Sequence, residues 1–317
     1  MDVDEICRLV WRAGGAVRRG DLPCDWRALD RALASGKLLR LARGTYVLSS
    51  QQPAQQAAAR LRGVVSHTSA AQLWLMEVVS APVLPHVTVP RSRKLSARDV
   101  VRHWADLPPA DVEGGVTTPL RTVVDCARSL QLPDALAVAD SALRRGLVRP
   151  GELRARAEAT RGAGRAAVQR VVQHASGRAA NPFESALRGI AVEAGVLGLE
   201  PQVVLECVGG RVRPDLLHRR LRLMAEADSF EWHGRRRALA DDCRRYDDLV
   251  ADGWTVLRFA WEQVVFDRPW VSRTLRATAA RCAVTADVQK SLEPAGSGAR
   301  RPPLPVRRHQ KGGAGRH

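Results

Sequence analysis

The run RPDLLHRRLRLMAEADSFEWHG, residues 213–234, decides the reading of this chain. From Leu221 onward its apolar residues alternate: Leu221, Leu223, Ala225 and Ala227 share one side, leaving Met224, Glu226 and Asp228 on the other. That period of two predicts a strand with two carboxylates projecting in parallel, ~7 Å apart. Such a pair repels unless a cation lies between. Asp215 sits in the preceding strand-like run, RPDLL at 213–217. If the intervening turn centres near Arg220 and Leu221, Asp215 falls directly opposite Glu226, because opposed residues of an antiparallel pair share a face. A different register separates them.

Working outward, Asn181-Pro182 predicts a helix start, with Asn capping free amides and Pro in the first turn, where no donor is needed. Phe183, Leu187, Ile190, Ala191 and Ala194 form its buried stripe, and Glu184 and Arg188 lie one turn apart on another face. Taken alone, that pair reads as an intrahelical salt bridge. PQVVLECV at 201–208, followed by Gly209-Gly210, predicts a hairpin. Downstream, a helix from about 236 to 251 is expected to bury Leu239, Cys243, Tyr246 and Val250, ending at Gly253 before the strand WTVLRFA at 254–260. Strand, helix and strand make a crossover that sets the last strand parallel to the central one in a mixed sheet. Arg245 and Asp242 lie off the apolar stripe and Arg258 lies in the last strand, to brace the acids or bind phosphate; solvent exposure accounts equally for the first two.

These residue types point to one chemistry. Asp215 and Glu226 are the expected carboxylate ligands for Mg2+ or Mn2+, with Glu184 reaching in from the helix and Asp228 orienting the shell. His233 is the candidate base or water-positioning group, although a lone histidine is more often structural. Together the five describe a metal-dependent centre for phosphodiester hydrolysis.

The remainder favours a polyanionic partner. Among 317 residues the formal net charge is +17, and the isoelectric point is near 11.0, so counterion release and electrostatic steering favour nucleic acid. Aromatic residues make up 4%, which leaves few platforms for stacking single-stranded bases and favours duplex DNA. Six cysteines, at 7, 24, 126, 207, 243 and 282, have no paired spacing, so they are expected to be reduced and mostly buried. No window approaches the ~20 apolar residues of a membrane span and no signal core opens the chain. A cytoplasmic protein is expected.

Residues 1–50 have a winged-helix rhythm. Ile6, Leu9 and Val10 space as one helix, Trp26, Leu29, Ala32 and Leu33 as a second after Asp25, and Leu39, Leu41, Tyr46 and Leu48 alternate around Gly44. The second helix would enter a major groove through Arg27, Asp30 and Arg31, with wing residues Arg40 and Arg43 on phosphate. A small helical domain for protein contacts is the competing reading. Residues 51–180 read as mostly helical. SHTSAAQLW at 66–74 starts a helix at a Ser/Thr cap, HVTVP at 86–90 is a strand, a basic loop holds Arg91, Arg93, Lys94 and Arg98, and helices follow from Thr118-Pro119 and across 133–175. His67 reads as a packed or capped histidine without a partner. From about 286 the prolines, glycines and arginines predict a disordered basic arm.

Two resemblances sharpen this. GKLLRLARGTYVL at 36–48 resembles the N-terminal winged helix of AbiEi-type antitoxins, and the middle segment is similar to the central part of those proteins. NPFESALR at 181–188, RPDLL, AEADSFEWHG at 225–234 and DDCRRYDDLVADGWTVLRFAWEQV at 241–264 together resemble actinobacterial proteins ending in a domain similar to very-short-patch-repair endonucleases, of the PD-(D/E)XK superfamily. The resemblance implies an α/β and α+β multidomain chain: winged helix at 1–50, antitoxin-like middle domain at 51–180, restriction-endonuclease-like mixed sheet flanked by helices at 181–285, basic tail at 286–317. It also implies that Asp215 and Glu226 match the superfamily's metal acids and Glu184 its helix acid. The superfamily's usual lysine is replaced by Asp228, and no lysine occurs between 95 and 289. The expected function is a DNA-binding, Mg2+-dependent endonuclease. The alternative is a non-catalytic transcriptional regulator, an antitoxin of a type IV-like system with a cognate toxin as partner.

Overall fold

A computed structural model describes residues 1–12, 16–42, 44–49, 52–94, 96–207, 209–228 and 236–292. Within them the chain is mixed α/β, with twelve α-helices and several sheets. No described helix is long and apolar enough to cross a membrane.

The N-terminal segment comprises α1 (Val3–Arg12), β1 (Ala16–Arg18), α2 (Trp26–Ala34), β2 (Leu38–Ala42) and β3 (Thr45–Leu48). The three strands form an antiparallel sheet in the order β1-β3-β2, with Gly44 at φ +72° in the turn between β2 and β3. Asp25 caps α2, its Oδ1 accepting from the Ala28 amide at 2.7 Å. Ile6, Val10, Leu29, Leu38 and Tyr46 form the core. Trp26, expected on the buried stripe of α2, is 60% exposed under the Arg19 guanidinium. Its position lies about a third of a turn off the centre of the face that Ala28, Leu29 and Ala32 bury.

The middle segment contains α3 (Pro53–Leu61), β4 (Val64–Val65), α4 (His67–Leu73), β5 (His86–Val89), β6 (Val101–Trp104), β7 (Val112–Glu113), β8 (Val116–Thr117), α5 (Pro119–Ser129), α6 (Leu132–Arg144), α7 (Pro150–Ala159) and α8 (Arg165–His174). The strand read from HVTVP is one of five, ordered β6-β5-β4-β8-β7. Two-residue strands such as β4 and β8 are too short to show any period. Ser66 precedes α4 without capping it; its Oγ meets His67 Nδ1 at 2.9 Å and accepts from Thr88 Oγ1 at 2.8 Å.

The last segment contains α9 (Pro182–Glu193), β9 (Glu200–Pro201), β10 (Leu205–Cys207), β11 (Gly210–Val212), β12 (Leu216–His218), β13 (Leu223–Asp228), α10 (Arg236–Ala251), β14 (Thr255–Ala260), α11 (Trp261–Phe266) and α12 (Arg268–Leu292). A four-stranded sheet runs β14-β13-β12-β9, with β13 and β14 parallel and the other pairs antiparallel. One face, through Leu216, Ala225 and Phe259, packs on Leu187 and Ile190 of α9 and on Val271 and Leu275 of α12. The other, through Leu217 and Met224, packs on Leu249 of α10 and on Trp254. The apolar face of α10 departs from expectation: Leu249 is buried, while Cys243 and Val250 are exposed. Two inward polar residues, Arg245 and Tyr246, occupy the positions from which an apolar period would be read. The α12 helix runs to Leu292, so residues 286–292 are helical, not part of an arm; residues 293–317 lie outside the described residues. All six cysteines are free, but only Cys126 and Cys282 are buried.

The boundary drawn at 180/181 is crossed by tight packing. A Cβ on Gly189 of α9 would lie 2.5 Å from Pro133 Cα of α6. Arg188 pairs with the fully buried Asp140 of α6 and donates to the His174 carbonyl, so the intrahelical bridge to Glu184 is not formed. Burial holds the Asp140 carboxyl above its usual range despite the guanidinium beside it.

Candidate functional site

The register of the central hairpin pairs Leu216 with Ala225, Leu217 with Met224 and His218 with Leu223, so its turn centres between Arg220 and Leu221. Extended by one residue, that ladder sets Asp215 opposite Glu226. Asp215 itself stands just before β12, not within it, and its Oδ2 accepts from the Ala227 amide at 2.9 Å.

Glu184 reaches this point from the first turn of α9. Asn181 Oδ1 caps the helix by accepting from the Phe183 and Glu184 amides at 2.9 and 3.0 Å, and its Nδ2 donates to Glu184 Oε1 at 2.8 Å. The Ala180 amide donates to Glu184 Oε2 at 2.8 Å. Gln202 then joins the two acids, its Nε2 donating to Glu184 Oε2 at 2.9 Å and to Asp215 Oδ1 at 3.3 Å. Gln202 sits at φ +56°, in the kink between β9 and β10. Burial, followed by the charge of Glu184, pushes Asp215 up to about 6; burial also raises Glu184. Two carboxylates brought together out of water each hold a proton more tightly than in water, and a cation bound between them would displace it.

Glu226 is held differently. Arg245 Nη2 donates to Glu226 Oε1 and Oε2 at 2.9 and 2.8 Å, and the Tyr246 hydroxyl donates to Oε2. Burial nevertheless raises the Glu226 carboxyl, outweighing both partners. Asp228 accepts from Arg258 Nε at 2.7 Å, and Arg258 Nη2 reaches Asp242 Oδ2 at 3.4 Å. The Arg258 guanidinium also lies over the Tyr246 ring, 4.3 Å from its centroid.

The four acids therefore do not close on one point as expected. Glu184 and Asp215 form one pair, bridged by an amide; Glu226 and Asp228 are each clasped by an arginine. Among the described residues no three carboxylates bring their oxygens within 4.8 Å of one another; the one such set of potential ligands is His67, His86 and His103. The cause is charge balance, since desolvated carboxylates take the nearest guanidinium. Of the acids, Glu184 and Asp215 are the two that could share a hard dication, both meeting the Gln202 side-chain amide. Glu226 can join only by exchanging Arg245 for the ion.

The other expected residues divide clearly. Arg27 and Arg31 on α2 and Arg40 on β2 are exposed. Arg245 and Arg258 are bound to acids. His233 and Arg43 lie outside the described residues. Sequence does not single out Gln202 or Tyr246: Gln202 falls in an irregular segment, and the helical spacing of Tyr246 reads as packing. His67, taken as partnerless, lies against His86 and His103.

Two proteins of Mycobacterium tuberculosis, uncharacterized protein Rv2248 of strain ATCC 25618 / H37Rv and uncharacterized protein MT2308 of strain CDC 1551 / Oshkosh, are each 33% identical to this chain over 150 residues. The match covers 47% of this chain and 55% of each relative, so it spans about half the length of these relatives. No family model matches the chain.

Proposed function

We propose that this chain is a DNA-binding protein whose last segment is a Mg2+- or Mn2+-dependent phosphodiester-hydrolysing centre, of the very-short-patch-repair-like nuclease class, working in the cytoplasm. The observation that carries the reading is the Glu184–Gln202–Asp215 cluster, with Asp215 pushed up to about 6 and Glu226 opposite in register. Asp215 and Glu184 would hold the ion, Glu226 completing its shell. The ion would supply charge neutralisation at phosphate and an activated water. Arg245 and Arg258, once exchanged from Glu226 and Asp228, stand beside the centre as phosphate ligands. The N-terminal segment is proposed as a winged helix, with Arg27 and Arg31 on its recognition helix, Arg40 on its wing and a net charge of +17 behind them.

A specific observation favours a second reading. The arginine clasps on Glu226 and Asp228 are what a nuclease framework retained as a docking body would show, in a non-catalytic regulator or antitoxin that binds its promoter and a cognate toxin. Plasmid nicking with Mg2+ or Mn2+ separates the two. Nicking by the wild type that is lost in Asp215→Ala and Glu184→Ala supports hydrolysis; equal activity in all three, or none with tight DNA binding, supports the regulator.

A further inference from the structure

We propose that His67, His86 and His103 form a binding site for one transition-metal dication of the zinc class, separate from the carboxylate centre and independent of the reading given to it. His86 begins β5 and His103 lies in the adjacent parallel strand β6, displaced by two residues in the ladder, so both rings lie on one face. His67 closes over them from the first position of α4. One ligand atom from each ring lies within 4.8 Å of the other two. His86 Nδ1 and His103 Nε2 already face each other at 3.1 Å. Two nitrogens on a tetrahedral zinc, each at ~2.0–2.1 Å, stand about 3.3 Å apart. The pair is therefore spaced as two corners of a coordination tetrahedron.

The surroundings support a metal over a packing cluster. All three imidazoles are held neutral: burial, then the charges of the other two rings, lowers His67 to about 2, burial lowers His103 to about 4, and burial lowers His86. Neutral imidazole is the ligating form, so protons do not compete near neutral pH. Among the described residues no carboxylate acts on them; the other charge is Arg121, which is engaged by Asp111 and Asp125. Ser66 Oγ fixes His67 through Nδ1, the outer-shell contact that orients a ligating histidine and leaves Nε2 for the ion. His67 also sits at φ +53°, a left-handed conformation costly for a side chain of this size and retained here at the mouth of the cluster. The present stacking of His67 on His103, centroids 3.4 Å apart, gives way to coordination when the rings turn toward the ion. His86 and His103 are partly exposed, so water supplies the fourth ligand. Three nitrogen donors select Zn2+, Co2+, Ni2+ or Cu2+ over Mg2+.

The test uses the full chain stripped of metal, titrated with Co2+ and then Zn2+. The expected result is one Co2+ per chain with the strong visible absorption of a tetrahedral site, bleached by stoichiometric Zn2+. His86→Asn and His103→Asn each weaken Co2+ binding at this tetrahedral site by about 100-fold or more. Absence of a stoichiometric tetrahedral Co2+ absorption in the wild type, or the same absorption at wild-type affinity in the double His86→Asn/His103→Asn variant, overturns the site. Because these substitutions touch a sheet, a second measurement uses the wild type alone. Zn2+ should protect His86 and His103 from diethylpyrocarbonate, read by peptide mass, and equal modification with and without Zn2+ refutes the proposal.

Discussion

Replacing Asp215 by Asn should stabilise the metal-free protein above pH 6. In the wild type, Asp215 is raised from 3.8 to about 6, first by burial and then by the Glu184 charge. Below the unfolded value both states carry the proton and folding is indifferent to it. Between 3.8 and about 6 the unfolded chain releases its proton first, so stability falls as pH rises. Above about 6 the full penalty is present. At ~1.36 kcal/mol per pH unit it amounts to about 3 kcal/mol, shared by the Glu184–Asp215 pair. Asn removes it without leaving a donor stranded. Its Oδ1 can accept from the Ala227 amide in place of Asp215 Oδ2, while its NH2 turns toward Glu184, converting repulsion into a hydrogen bond. The Gln202 contact at 3.3 Å is the weaker loss. At about 2 °C per kcal/mol for a chain of this size, the melting midpoint at pH 7.5 should rise by about 6 °C, and the gain should vanish near pH 4. Mg2+ should reverse the order, raising the wild-type midpoint through binding to the native state and leaving Asp215→Asn unmoved. Scanning calorimetry at several pH values, with and without Mg2+, reads both effects. A midpoint lowered by Asp215→Asn at pH 7.5, or a gain that persists at pH 4, would refute the electrostatic account of the site.

Two further outcomes follow from the same contacts. Arg188→Met alone should cost about 3–5 kcal/mol in urea denaturation by stranding the buried Asp140 carboxylate, whereas Arg188→Met with Asp140→Leu should recover most of that loss; additive losses in the double variant would contradict it. Alanine at Arg27, Arg31 and Arg40 should weaken duplex DNA binding and lower the log–log salt slope by about 0.9 for each phosphate contact removed; an unchanged slope in the triple variant would place the DNA contact elsewhere.

The elements that sequence revealed are those with local causes. Asn181-Pro182 caps a helix by chemistry confined to four residues, and the alternation through Leu223, Ala225 and Ala227 marks a strand, whereas its register against Leu216 stays open in sequence and is set by the sheet. Partner choice was not legible. Arg188, Arg245 and Arg258 have side chains long enough to reach several acids, and which one each takes depends on packing of α9 against α6 and of α10 against the sheet. The histidine cluster was hidden for a related reason: residues 67, 86 and 103 meet only because β5 and β6 pair in parallel, a relation that leaves no period in the chain.

That dependence on packing makes the candidate centre a product of two segments. Glu184 is presented by α9, which is fixed by contacts with the middle segment: Gly189 against Pro133, where no Cβ fits, and Arg188 on Asp140. A one-residue rotation of α9 would carry Glu184 about 100° away from Gln202 and would force the Gly189 contact apart at the same time. The position of the helix acid is thus enforced by residues 133 and 140, outside the unit that the sequence marks as nuclease-like. An excised 181–285 fragment would lose the surfaces that orient Glu184 even while keeping every acid, which is why the middle segment belongs to the site's construction.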